Sequence, residues 1–481
     1  MNHWNRLVLT SLALTSLAGC PAPDDYLAPW PQSAVEARVY DEAPEPGPLR
    51  RKAEGHDAWH RGYSQPYYGA IVEAVRFAAP IESLADVPEV LGYGDWNDSC
   101  EWTGIYLASQ AMRYHVTGDP SVKAHAIRTA LALSRNLHVT GTPGFIARYS
   151  APRDPLIYAG DAWCDAPAQD RCHRVETGEF AGDWWWGETS RDMYSGWFLG
   201  MALAHDLIDD DDLRARIRAD VTEVLDALIT NHWMIIDEAG EPSTKAPEIL
   251  PPHQVAWLLI GYHLTGEAGF AAALKTWLLD SQRIFLTLSS FSDFNRYDEY
   301  FANAISHELW YNILRLGRVY FSEADFAFFS DLFESQVHSF TRLSHNPFYN
   351  AVFMGQGAYA PAPGDPYQAQ LVEDLSAFGA APRTPFFTPA RAEGSYVLDP
   401  VSVALSDLIE AIPILGEIFE FTPQALEAFP IAQQCDGILF ERNPFQITAC
   451  GADDPSLLAS GSDYLIAYWM ASYHGFIGKA E

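Results

Sequence analysis

Three short stretches of this sequence concentrate side chains suited to acid–base chemistry. WNDSCEW holds Asp98 and Glu101 between Trp96 and Trp102. GDWWWGETSRDMYSGWF sets Glu188, Arg191 and Asp192 directly after Trp184, Trp185 and Trp186. NAISHELWYN puts His307 and Glu308 just ahead of Trp310 and Tyr311. Cleavage of a glycosidic bond needs a protonated carboxyl at the leaving oxygen and a second carboxylate as base or nucleophile. Asp98, Glu101, Glu188, Asp192 and Glu308 are the acids available for it, with Asp192 and one of Asp98 or Glu101 as the preferred pair. His307 is a further acid or base by its ordinary titration range. Flat aromatic faces beside carboxylates suit a pyranose, whose C–H faces stack while its hydroxyls hydrogen-bond. Trp96, Trp102, Trp184, Trp185, Trp186, Arg191, Tyr194, His253, Trp310 and Tyr311 are therefore read as substrate-binding.

Each cluster also has a purely structural reading. Asp98 and Glu101 have the D-x-x-E spacing of a capping box, and Thr189 and Asp192 have the T-x-x-D form. Glu188 and Arg191 fit a simple ion pair, although a surface pair contributes little to stability. The tryptophans fit a plug sealing one end of the fold. If they are helical, successive side chains diverge by about 100°, so the three cannot share one core face.

Helical periodicity must position these residues. Trp102, Ile105, Tyr106, Ser109 and Met112 recur at three- and four-residue steps, as do Tyr194, Trp197, Met201, Ala204 and Ile208, and then Val255, Leu258, Leu259 and Tyr262. The helices come in pairs, with turns expected at Gly118, Asp210, Gly266 and Ser322. The turns recur about every 56 residues once an irregular insertion near 142–183 is set aside, enough for two helices and their connections. Such units bury their apolar stripes only against one another. The expected fold is all-α, with six or seven helical hairpins and the inner-helix starts gathered at one mouth.

The T-G-D turn after an aromatic-rich helix and the D-x-Y-S-G-W start of another resemble the six-hairpin (α/α)6 toroids, which include many glycoside hydrolases and some polysaccharide lyases. NDSCEWTGIYLASQAMRYHVTGD, ETSRDMYSGWFLGMALAHDLI and SDYLIAYWMASYHGF are similar to secreted bacterial toroid proteins of a subfamily without an assigned activity. The resemblance covers most of 60–476 and speaks to fold more than to reaction. It implies a carbohydrate-active protein, foremost a glycoside hydrolase acting on an oligo- or polysaccharide. The alternatives are a lyase using Tyr194, His307, Tyr311 and Arg191, and a lipid-anchored glycan-binding or scaffold protein without catalysis.

The N-terminus pairs Arg6 with an apolar run over 7–17, too short to span a bilayer and suited to a signal peptide. Leu17-Ala18-Gly19-Cys20 resembles the bacterial lipobox, which implies lipidation at Cys20 and anchoring to the cell envelope through that lipid alone; Pro21 does not specify inner or outer membrane. Residues 21–48 are rich in proline and acids and read as a tether, leaving 49–481 as one toroid domain. Cys164 with Cys172, and Cys435 with Cys450, are spaced for short disulfides, leaving Cys100 as a buried small residue. No C-x-x-C and no H-E-x-x-H occurs, so neither metal nor cofactor is expected. A net charge of −33 opposes nucleic acid or anionic lipid as a partner. Nothing in the sequence sets an oligomeric state.

Overall fold

The protein is described by a computed structural model over residues 46–478, apart from 82, 84–85, 87–88, 157–170, 291–299, 357–365, 384–388, 412–421, 435–439, 441–442 and 451–455. The signal peptide, Cys20, nearly all of the tether, Cys164 and Cys435 lie outside the described residues. Helices dominate the rest, at 57% against 8% strand.

The helices fall into two kinds. Those buried nearly all round are α2 (Ser99–Thr117), α4 (Arg191–Leu207), α6 (Pro251–Thr265), α9 (Ala302–Tyr320), α11 (Pro347–Met354) and α14 (Ser462–Tyr473). Those with a single apolar stripe are α1 (Pro48–Trp59), α3 (Pro120–His138), α5 (Asp211–Thr230), α7 (Ala268–Trp277), α10 (Glu323–Phe333) and α12 (Pro366–Ala377). Helices buried on every side must lie inside, and striped ones must cover them. Inner α2 packs on α4, α4 on α6, α6 on α9, α9 on α11, α11 on α14, and α14 on α2. The first five inner helices also pack on the outer helix that follows them in sequence, and α14 packs on α1. Two further helices, α8 (Asp280–Ser289) and α13 (Pro400–Ala411), lie outside this pairing.

The expected turns are present. Gly118 and Gly266 end α2 and α6 with φ of 66° and 71°, a left-handed conformation that glycine adopts without strain. Asp210 and Ser322 cap α5 and α10, accepting hydrogen bonds from the backbone N–H of Leu213 and Asp325. Such caps contribute about 1 kcal/mol each.

Glycine also sets the closest helix contact. Gly196 and Gly200 of α4 lie against Glu101 and Gly104 of α2, backbone on backbone. A Cβ on Gly104 would overlap the carbonyl of Gly196, and neither rigid helix can swing away alone. Gly104→Ala is therefore expected to cost about 3 kcal/mol or more, above the usual range for overpacking a core. Urea denaturation would measure it, and an unchanged midpoint would mean that the helices can slide apart.

The insertion near 142–183 is irregular, as expected, but it contributes to a small sheet. Strands β1 (Ala74–Phe77), β2 (Val90–Gly94) and β6 (Leu457–Ala459) pair in the order β2-β1-β6. Strands β3 (Tyr149–Ala151), β4 (Cys172–Arg174) and β5 (Trp184–Trp186) pair in the order β3-β5-β4. The triple tryptophan is thus a strand, not a helix entry, and its side chains alternate between faces. Trp185 stacks on His173 at 4.1 Å and packs into the main core, while Trp186 meets Trp96 in a second core with Tyr149. Cys172 and Cys450 each take part in a disulfide. Cys100 is free and buried, and burial pushes its thiol up to about 12, which makes it inert as a nucleophile.

Candidate active site

Acids from three inner helices meet at their N-terminal ends. Asp98 precedes α2, Glu101 sits in its first turn, Asp192 sits in the first turn of α4, and Glu308 lies two turns into α9. Neither capping box forms. The Asp98 side chain makes no cap and instead accepts a hydrogen bond from Arg148 Nη1 at 2.9 Å. The Glu101 carboxylate accepts the backbone N–H of Gly196 at 3.2 Å, reaching across to α4 rather than back along α2. The glycine contact between the two helices is what brings that N–H within range. Among the described residues, the hydrogen-bonding contact of the Asp192 side chain is Ser190 Oγ, at 3.5 Å.

Glu101 and Glu308 form a buried carboxyl pair, 4% and 1% exposed. Neither oxygen of Glu308 has an N–H or hydroxyl donor among the described residues. Its polar neighbour is the Glu101 carboxyl, and two carboxyls can hydrogen-bond only if one holds a proton. Burial pushes both pKa values well up; the neighbouring Glu308 raises Glu101 further, whereas the hydrogen bond with Glu101 lowers Glu308 and Asp192 raises it. Burial also raises the Asp192 carboxyl; Arg191 opposes that shift and Asp98 adds to it. This is the arrangement expected where a carboxylic acid must hold its proton near neutrality.

Asp98, Glu101 and Asp192 line one cavity of 230 Å³ together with Trp102, Met193, Phe301, Ala304, Ile305 and Phe440. A second cavity of 320 Å³ adjoins it, sharing Asp192, Phe301 and Ile305, and contains Arg191, His253 and Trp310. Of the residues singled out in the sequence, these two cavities unite Asp98, Glu101, Asp192, Trp102, Arg191, His253 and Trp310. No group of three or more His, Cys, Asp or Glu arranged to hold a metal occurs among the described residues.

The other expected residues are placed elsewhere. Glu188 does not pair with Arg191 and does not reach the cavity; its carboxylate pairs with Arg171 at 2.7 Å. The strand geometry of Trp184, Trp185 and Trp186 turns them into the two cores and away from the mouth, and Trp96 stacks on Tyr149 there. Tyr194 is buried, donating to the Gly144 carbonyl at 2.8 Å. Tyr311 is buried with its hydroxyl 3.1 Å from His474 Nε2. His307 lines neither cavity. Its ring contacts the Asn303 carbonyl at 2.7 Å and Thr341 Oγ1 at 3.2 Å and stacks on Tyr349. Burial depresses it to about 3, so it is a neutral structural histidine and not an acid or base.

Arg148 was not singled out in the sequence, yet it organises the mouth. Its guanidinium donates to Asp98, to the carbonyls of Asn97 and Glu188, and to Ser190 Oγ. It thereby ties the start of α2 to the loop that launches α4. The signal available was a lone charge inside the apolar run GFIARYSA. Arg148→Ala should cost about 2 kcal/mol through the acceptors left behind, discounted because Asp98 is partly exposed. Thermal melting checks this, and a variant that melts normally would remove Arg148 from this role. Phe301 and Phe440 were also missed, because no local pattern links them to residues so distant in sequence.

No protein-family model matches this chain, and no curated protein matches it at a significant level.

Proposed function

We propose that this protein is a glycoside hydrolase built as a six-hairpin α/α barrel. The circuit of six inner helices, each backed by an outer one, supports the barrel reading. The observation that carries the function is one cavity holding Asp98, Glu101 and Asp192 beside the Trp102 side chain. In this reading Asp192 donates the proton to the leaving oxygen, since burial favours its protonated form. Asp98, held by Arg148, is the second carboxylate. The Glu101–Glu308 pair holds a proton beneath them and so halves the negative charge at the floor of the site. Trp102 supplies the apolar face for the sugar ring.

The test is a screen of the purified protein against neutral and uronic oligosaccharides. Hydrolysis releases reducing ends without new ultraviolet absorbance. A lyase product would absorb, and binding without either change would leave a glycan-binding protein; both results would refute hydrolysis. We further propose export and anchoring through lipid on Cys20, in line with the lipobox-like sequence. Loss of membrane association in a Cys20→Ser variant would support this, and retention would refute it. Among the described residues no helix is long and apolar enough to cross a membrane.

A further inference from the structure

The cavity adjoining the carboxylate pocket has the opposite electrostatic character. Arg191 and Lys245 line it with Arg148, which pairs with Asp98, and with His253, which burial and Arg191 hold neutral; among the described lining residues Asp192 is the sole carboxylate. In a chain with 63 acidic and 30 basic residues, that local balance is unusual. Arg191 makes no ion pair among the described residues; its polar contact is the Glu248 carbonyl at 3.4 Å. Lys245 is exposed and has no ion pair among them either. His253 is only 6% exposed, and neither ring nitrogen has a hydrogen-bond partner among the described residues. A buried imidazole left without partners is unfavourable, and a bound oxygen would relieve that penalty. The first turns of α4, α6 and α9 all contribute to the wall, and helix N-termini favour negative charge.

We propose that this cavity is the subsite for an anionic substituent of the saccharide, a uronate carboxylate or a sulfate ester. The inference rests on the carbohydrate reading above and specifies its substrate class. A sugar ring seated against Trp102 in the smaller cavity would extend its charged group past Asp192, between Arg191 and Lys245 and over His253. The planar guanidinium of Arg191 can hold two anionic oxygens at once, and Lys245 adds a mobile charge at the rim. The chain's overall negative field does not prevent this, because it is screened within about 10 Å at ordinary salt while the subsite contacts are direct.

The test is binding by calorimetry to the full chain carrying Asp192→Asn, so that substrate is retained. The probes are oligogalacturonides, sulfated galactan oligosaccharides and neutral cello-oligosaccharides. Acidic probes should bind at least about tenfold tighter than neutral ones, and Arg191→Met with Lys245→Met should erase that preference. His253→Leu breaks no hydrogen bond, so it should fold and weaken acidic probes selectively. Preference for the sulfated over the uronic probe would support the subsite and assign sulfate as its ligand. Equal affinity for neutral and acidic probes, no binding to any, or a preference unaffected by these substitutions would overturn the proposal. Selective binding by a wild-type protein that hydrolyses none of the probes would sink the hydrolase reading and leave this one standing.

Discussion

Asp192→Asn is expected to lower kcat on a matching glycan by about a thousandfold, the loss typical of removing a general acid or nucleophilic carboxylate. The melting temperature should stay nearly unchanged. Both halves follow from the surroundings of the side chain. It caps nothing, and its closest hydrogen-bonding contact is Ser190 Oγ at 3.5 Å. Asparagine keeps the shape and removes a carboxyl that burial and Asp98 already disfavour as an anion. If Asp192 is the proton donor, a substrate whose leaving group needs no proton should lose far less rate than a natural linkage. Parallel kinetics on a nitrophenyl glycoside and the natural bond would expose that difference. Full turnover in the variant removes Asp192 from the chemistry, and a collapsed melting curve assigns it to the fold.

Acid should unfold this protein steeply below about pH 4.5. His56, His60 and His307 are held near 3 and His338 near 2, in each case chiefly by burial. All four are at most 1% exposed. Folded pKa values below the unfolded value of 6.5 mean that the stability is present above 6.5 and is lost as pH falls. Each histidine then costs about 1.4 kcal/mol per pH unit, so four give a slope of about 5. Glu101 and Glu308 work in the other direction. Their raised values stabilise the fold most below about 4.5 and less as pH rises through the folded values. Between 6.5 and 4.5 the two effects partly cancel, and below 4.5 the carboxyls have nothing more to add. A total stability of about 5–15 kcal/mol would be consumed within a unit or two of pH. Denaturant titrations from pH 8 to 4 would trace the curve, and a flat profile down to pH 4 would contradict it. His338→Phe should flatten the limb by about a quarter. His338 already stacks on Phe353 at 4.0 Å, and neither ring nitrogen has a partner to lose.

Among these residues, helices and caps were legible locally. The three- and four-residue steps from Trp102 to Met112 identify α2 because one helix presents its own period along the chain. Gly118, Asp210, Gly266 and Ser322 mark turns because their geometry depends only on immediate neighbours. The short strands escaped notice for the same reason. Three residues carry no readable alternation, and the pairing of Trp184–Trp186 with Tyr149–Ala151 and Cys172–Arg174 is supplied from elsewhere in the chain.

For the site, sequence alone put acids and aromatics at helix starts: Asp98, Glu101, Glu188 and Asp192 at one rim, with Trp102, Arg191 and His253 among the substrate contacts, and the structure places Glu188 elsewhere. Local patterns cannot tell a capping carboxylate from a catalytic one, since both occupy the same first turn. Only tertiary packing shows that neither Asp98 nor Asp192 caps its helix. The glycine contact of α2 with α4 turns Glu101 towards the Gly196 N–H, and Arg148, fifty residues on from Asp98, takes that carboxylate away from its own helix. The same packing buries His307, pairs Glu308 with Glu101, and opens the basic cavity around His253. Side-chain identity is written in the chain, but the partner that sets its charge and direction comes from another helix.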